Sequence, residues 1–256
     1  MMSILAGEKL TKNFGGLTAV SDVDFQVGQG EIFAVIGPNG AGKTTLFNMI
    51  TGVLPLCGGS ISFQGDKIDG MPTHLIAFRG IARTFQNLQL FDNLTVLENV
   101  MVGCHCHGKT GFIHAGLRLP QKISEEKRFR ETAMEKLRLV GLAERAHELS
   151  ANLPYGQQRL LEIARALAVE PKVLLLDEPV AGLNSVESQR LAELIRGLKD
   201  LGITILLVEH DMATVMSVAD RILVLDFGKK IAEGTPEEIQ TNPKVIKAYL
   251  GEEDIQ

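Results

Sequence analysis

Two stretches of this 256-residue chain carry the residue types that handle phosphate. The first, GPNGAGKTT, fits G-x-x-x-x-G-K-[ST] with Gly37, Gly42, Lys43 and Thr44. Glycines let the backbone bend closely around an anion, so that successive N–H groups point at one phosphate. A helix starting near Lys43 adds its positive end. The cradle so formed comprises Gly37, Asn39, Gly40, Ala41, Gly42, Lys43, Thr44 and Thr45. Lys43 is placed to reach the β- and γ-phosphates of a nucleotide, and the Thr44 hydroxyl to take a position on Mg²⁺. The second stretch, KVLLLDEP, sets Asp177 at the carboxyl end of an apolar strand, where it can hold Mg²⁺ through the ion's water shell. Glu178 follows directly, a carboxylate suited to take a proton from an attacking water. A switch GTPase would need an N/T-K-x-D motif after a later strand, and none is present. A nucleoside kinase would need an arginine-rich lid, and the middle of the chain has only scattered arginines.

The elements that must position these residues are legible from periodicity. KLTKNF, AVSDVDFQV and EIFAVIG alternate apolar and polar residues between glycine breaks, which predicts strands of a partly antiparallel sheet. EIFAVIG leads into the cradle and TTLFNMITG forms the helix after it, while GGSISFQGDKI reads as a further hairpin. Residues 90–170 are predicted mostly helical. Phe129, Ala133, Leu137 and Val140 share one face there, with Gly141 as C-cap. Residues 103–123, with four glycines, read as a loop or short lid. Beyond 170, KVLLLDEP and ITILLVEH are near-continuous apolar strands around a helix capped by Asn184 and Glu187. DMATVMSVAD is a helix, and RILVLDFGKKIAEG a strand followed by a turn. Apolar strands between helices predict a parallel sheet covered on both faces.

With these motifs in order, LPYGQ at 153–157 becomes legible. It opens the helix before KVLLLDEP and resembles the LSGGQ signature of the ATP-binding subunits of ABC transporters, a resemblance that covers essentially the whole chain. Gln86 in RTFQNLQLF matches that family's Q-loop glutamine, which implies contact with Mg²⁺ and the attacking water. AGLN at 181–184 matches the D-loop, and His210 in LLVEHDM the switch histidine on the γ-phosphate. Phe14 in NFGGLTAV matches the aromatic that stacks on adenine, with Val20 near it. The implied fold is an α/β P-loop cassette: a mainly parallel core sheet, an N-terminal antiparallel β-subdomain and an inserted helical subdomain. Residues 1–86 and 171–256 would form the core with the β-subdomain, and about 87–170 the helical part. Catalysis would fall to Glu178, His210 and Gln86, and the metal to Thr44, Gln86 and Asp177, with ATP and Mg²⁺ bound. Tyr155, Gly156 and Gln157 would face the ATP of a second subunit in a head-to-tail dimer. Pro154 departs from the usual serine and has neither hydroxyl nor N–H, and Tyr155 replaces a glycine, offering a hydroxyl and a packing face in exchange.

FGGLTAVSDVDF, IARTFQNLQLFDNLTVLENVMVG, NLPYGQQRLLEIARALA and NPKVIKAYLGE resemble the ATPases of branched-chain (hydrophobic) amino-acid importers. Similar ATPases serve urea or amide uptake and lipopolysaccharide export. The resemblance implies two transmembrane permease subunits, a second ATPase that is a paralogue or a copy of this chain, and, indirectly, an extracytoplasmic solute-binding protein. The longest apolar runs are far shorter than the roughly 20 residues of a membrane span, and the start lacks the basic and apolar regions of a signal peptide. The expected location is therefore cytoplasmic, peripheral on the inner membrane. A net charge of -5 argues against a nucleic-acid partner, as does a single cassette with a short insertion against a ribosome- or DNA-acting ATPase. CHCH at 104–107, with His114 nearby, lacks the usual paired spacing of a zinc site and reads as a surface loop.

Overall fold

The structure, a computed structural model, describes residues 3–86, 88–107 and 120–250. Its first sheet is antiparallel. β1 (Ser3–Phe14) pairs with β2 (Leu17–Gly28) on one side and β4 (Gly58–Phe63) on the other, and β5 (Asp66–Lys67) closes a hairpin with β4. Between β2 and β4 the chain crosses to the second sheet as β3 (Ile32–Ile36) and returns through α1 (Lys43–Ile50).

The second sheet has six strands in the order β10, β9, β3, β8, β7, β6. After α2 (Thr73–Arg79), β6 (Ile81–Arg83) forms one edge, beside β7 (Val173–Asp177) and then β8 (Thr204–Val208), all parallel to β3. β9 (Arg221–Asp226) is also parallel to β3, but β10 (Lys229–Gly234) turns back antiparallel to it. That last strand corrects the expectation of a simple turn after RILVLD: KKIAEG pairs, and only Phe227 and Gly228 turn, both with positive φ.

Every residue of β3, β7 and β8 is buried, and their side chains divide by parity between two cores. Phe33, Val35, Val173, Leu175, Leu206 and Val208 pack with the antiparallel sheet and α1. Ile32, Ala34, Ile36, Leu174, Leu176, Ile205 and Leu207 face the helices instead. This alternation explains why the runs read as unbroken apolar stretches, since both faces of the pleat are covered.

The helical part inserts between β6 and β7. α3 (Val96–Cys104) starts at a capping box of Thr95 and Glu98. α4 (Pro120–Leu139) buries Phe129, Ala133 and Leu137, and Val140 and Gly141 follow as expected, the latter with φ 75°. α5 (Tyr155–Leu167) packs against both α3 and α4. Buried Asn99 ties the entry loop to α3: its amide donates to the Phe91, Leu94 and Thr95 carbonyls and accepts from the Phe91 N–H. The chain then closes with α6 (Ser185–Asp200), α7 (Met212–Val218), α8 (Pro236–Gln240) and α9 (Pro243–Leu250). Asn184 and Glu187 form the expected box at the start of α6.

The stretch 103–123 is not one loop. Gly103 and Cys104 end α3, His105–His107 form a 3₁₀ turn, and 120–123 open α4, while Gly108, Gly111, His114 and Gly116 lie outside the described residues. Cys104 is a core residue whose thiol lies against the carbonyls of Val100 and Phe129, and burial pushes its pKa up to about 11. His105 packs edge-on against Phe129. Among the described residues no three His, Cys, Asp or Glu side chains converge on a common point.

Candidate functional site: a phosphate cradle at four strand ends

The loops after β3, β8, β7 and β6 carry the motif residues, and these four strands are consecutive neighbours in the sheet. Parallel pairing therefore delivers the cradle (37–42), His210, Asp177 with Glu178, and Gln86 to one edge, the usual place for a ligand in an open parallel sheet.

In the cradle, Gly37 and Gly42 have positive φ (151° and 100°), and a Cβ on either would collide with backbone oxygen, of Leu225 and Ala19 respectively. The loop thus fits only without side chains at these two positions. α1 begins directly after Gly42, with no acidic residue in its first turn, so its positive end is left for an anion. Asn39, Gly40 and Thr44 are exposed, Thr45 is half-buried, and Ala41 is buried. Lys43 folds back over the loop, donating to the carbonyls of Gly37 (2.7 Å) and Pro38 (3.0 Å). Burial lowers its pKa, against the opposing pull of Glu178 and then Asp177. On the outer side of the loop, Tyr249 of α9 sits by Gly37. Burial raises its phenol pKa, and a hydrogen bond with the Gly37 backbone partly offsets this.

The acidic side of the site is tightly organised. Asp177 is buried and paired with Arg83 at 2.6 Å, and Arg83 also donates to Asn48 Oδ1 (2.6 Å). Glu178 sits at φ 48°, an uncommon conformation for a non-glycine residue, anchored by its N–H to the Val208 carbonyl at 2.8 Å. Its carboxylate accepts from Gln86 Nε2 at 2.9 Å and lies 3.8 Å from His210 Nδ1. His210 is 60% exposed, free to turn toward a ligand. Beneath it, buried Glu209 accepts from the N–H groups of Val180, His210 and Asp211, which fixes the loops carrying Glu178 and His210 to each other. Burial raises the Glu209 pKa against these bonds.

Phe14 is exposed near the end of β1, with the Lys12 ammonium 5.3 Å from its ring centre. Val20 is fully buried and packs beneath Gly42, so it supports the cradle from below and presents no free face. The turn 153–157 lies at the start of α5. Pro154 is the N-cap residue, with no side-chain cap bond. Tyr155 is exposed, but its hydroxyl is engaged within the chain by Arg159 Nη2 at 3.0 Å. A Cβ on Gly156 would lie 2.6 Å from Glu187 Oε1, and Gln157 Oε1 is buried without a hydrogen-bond partner.

Four charged residues that hold the site's loops together escaped the motif reading: Arg83, Arg159, Glu162 and Glu209. Arg159 and Glu162 did leave a signal, an opposite-charge pair three residues apart on the apolar side of RLLEIARAL.

A glycine-rich anion loop at a helix start, an acidic strand end and a glutamine and histidine around one carboxylate define a P-loop nucleoside-triphosphate hydrolase. The ABC transporter family model matches residues 20–181, and one for branched-chain amino acid ATP-binding cassette transporters matches residues 229–255. The chain belongs to the ATP-binding cassette family of transporter ATPases. It is 47% identical over 250 residues to a high-affinity branched-chain amino acid transport ATP-binding protein of Pseudomonas aeruginosa, covering 97% of this chain and 98% of that one. It also resembles the ADP conformation of an ABC transporter cassette (TM-score 0.87, 34% identity, 98% and 100% of the two chains covered). A dimeric post-hydrolysis cassette bound to ADP and phosphate aligns with TM-score 0.76 at 26% identity, covering 91% and 98%.

Proposed function

We propose that this chain is the ATP-hydrolysing subunit of an importer of branched-chain or other hydrophobic amino acids. The observation that carries the substrate class is the 47% identity to the Pseudomonas relative over nearly the full length of both chains, joined to the family match at 229–255. In this reading the cradle and Lys43 hold the phosphates of ATP, with Phe14 against the base. Glu178 takes the proton of the attacking water, Gln86 holds that carboxylate and His210 turns to the γ-phosphate. The Thr44 hydroxyl, the Gln86 amide oxygen and the Asp177 carboxylate are all hard oxygen groups, a set that suits Mg²⁺. The ion supplies charge neutralisation at the phosphates when bound.

The turn 155–157 would face ATP held by a second subunit, a paralogue or a copy of this chain, in a head-to-tail dimer; the post-hydrolysis relative is itself dimeric. No helix among the described residues is long and apolar enough to cross a membrane; in this reading translocation would fall to two separate permease subunits, fed by a solute-binding protein. A groove of about 300 Å³ between the sheet edge and the helical part (about 87–170) offers them a docking place, lined by Val53, Ile76, Phe85 and Val102. This subunit would then sit on the cytoplasmic face of the inner membrane.

Reconstitution with the permease subunits in proteoliposomes tests the reading. The expected result is ATP-dependent leucine, isoleucine or valine uptake that is lost with Lys43→Ala. ATP turnover stimulated only by urea or by lipopolysaccharide would overturn the substrate class.

A further inference from the structure

One turn of α5 grips the backbone of the Q-loop. Arg159, 3% exposed, donates from Nη1 to the Phe85 carbonyl (2.9 Å) and from Nη2 to the Gln86 carbonyl (2.6 Å). Glu162, 2% exposed, pairs with Arg159 at 3.4 Å and accepts from the Phe85 N–H at 3.1 Å. Three of the four polar atoms of the 85–86 backbone are therefore satisfied by one helix. Its N-terminus is the turn 154–157, and the side chain it fixes in place, Gln86, holds Glu178. Tyr155 extends the same grip in the other direction. Its hydroxyl accepts from Arg159 Nη2, the guanidinium lies 5.5 Å from its ring centre, and the ring covers Gly182, where a Cβ would approach Tyr155 Cε1 to 3.0 Å.

We propose that Arg159 is a positioning residue that, with Glu162 and Tyr155, makes the signature turn, Gly182 of the D-loop and the Gln86–Glu178 contact move as one unit. The proposal rests on the ATPase reading of the site and goes beyond it. The four N–H groups of the two terminal nitrogens span two carbonyls, a carboxylate and a phenol at once, and no lysine can do this from the three donors of one ammonium. Tyr155 is then not a substitute phosphate donor for the serine and glycine of the usual signature. It serves the clamp, and a nucleotide pressing on Gly156 from a neighbouring subunit is felt at Gln86 of this one.

A buried ion pair could serve the fold alone, and the test separates the two roles. Replacing both partners with apolar residues of similar length commonly restores stability, whereas removing one leaves a buried charge. Arg159→Met/Glu162→Met, Arg159→Lys and Tyr155→Phe are made in the full chain, and thermal unfolding, ATP affinity and steady-state hydrolysis are measured. The double variant is expected to melt somewhat below wild type, since three backbone groups lose partners, yet to keep ATP affinity and lose at least about tenfold in kcat per folded molecule, with KM unchanged. Arg159→Lys should lose a similar factor, and Tyr155→Phe about threefold. A double variant, or Arg159→Lys, with wild-type kcat would overturn the proposal, as would a kcat loss tracking the loss of folded protein. The controls are wild type and Glu178→Gln. Absence of Glu178-dependent hydrolysis in wild type would remove the ATPase reading itself, and the proposal with it.

Discussion

The two halves of an ATP site that this chain can supply are built on opposite principles. The cradle with Asp177, Glu178 and His210 comes from strand ends in one sheet, and its polar groups already have partners within the chain. Lys43 holds the carbonyls of Gly37 and Pro38, and Arg83 holds Asp177. The signature turn instead sits on a single helix. It has lost the usual serine to Pro154 and commits its Tyr155 hydroxyl inward to Arg159. The first half is poised to exchange internal partners for a nucleotide. The second, in the proposed reading, gives up a contact with a neighbour's phosphate and is tied through Arg159 to its own Q-loop.

Each half can be broken separately. The largest effect on stability is expected at Arg83. Arg83→Met leaves Asp177 as an uncompensated buried charge, which should lower unfolding stability by about 3–5 kcal/mol in denaturant titrations. The deficit should narrow when ATP and Mg²⁺ are present; an unchanged deficit would mean that Asp177 gains no partner from them. Lys43→Ala should weaken ATP binding at least about 100-fold by calorimetry, the loss of two charge-assisted bonds at about 1.5–3 kcal/mol each. Intact affinity would refute the cradle role.

On the other half, Pro154→Ser restores one such bond and should tighten ATP-driven dimerisation by about tenfold in sedimentation equilibrium. An unchanged dimer affinity would mean that the loss of the serine is already compensated elsewhere in the turn. The smallest effect concerns the thiols: with a pKa of about 11, Cys104 is only about one part in a thousand thiolate at pH 8, so alkylation should mark exposed Cys57 first and leave Cys104 unmodified in the folded chain.

How much was legible in the sequence follows the same division. The cradle and strand ends could be read because their function is local: Gly37 to Thr44 are contiguous, and Glu178 adjoins the strand that places it. The helical face of Phe129, Ala133 and Leu137 was equally plain, because burial imposes its own period. What could not be read depends on contacts across the chain. Arg83 meets Asp177 only because β6 and β7 are neighbours, and Arg159 meets residue 86 only because α5 packs under that loop. Cys104 looked like part of a polar loop because CHCH has no helical period, yet α3 continues through it into the core. KKIAEG hid β10 because an edge strand with a polar exposed side carries little apolar signal.

Glu178, held by Gln86, is the proposed base for ATP hydrolysis. The most direct measurement is ATP binding and steady-state turnover of Glu178→Gln beside wild type, in the presence of Mg²⁺. The expected result is ATP affinity within about twofold of wild type and turnover reduced by about 10²–10⁴-fold, the range of a lost general base. Turnover at the wild-type rate in that variant would contradict the assignment.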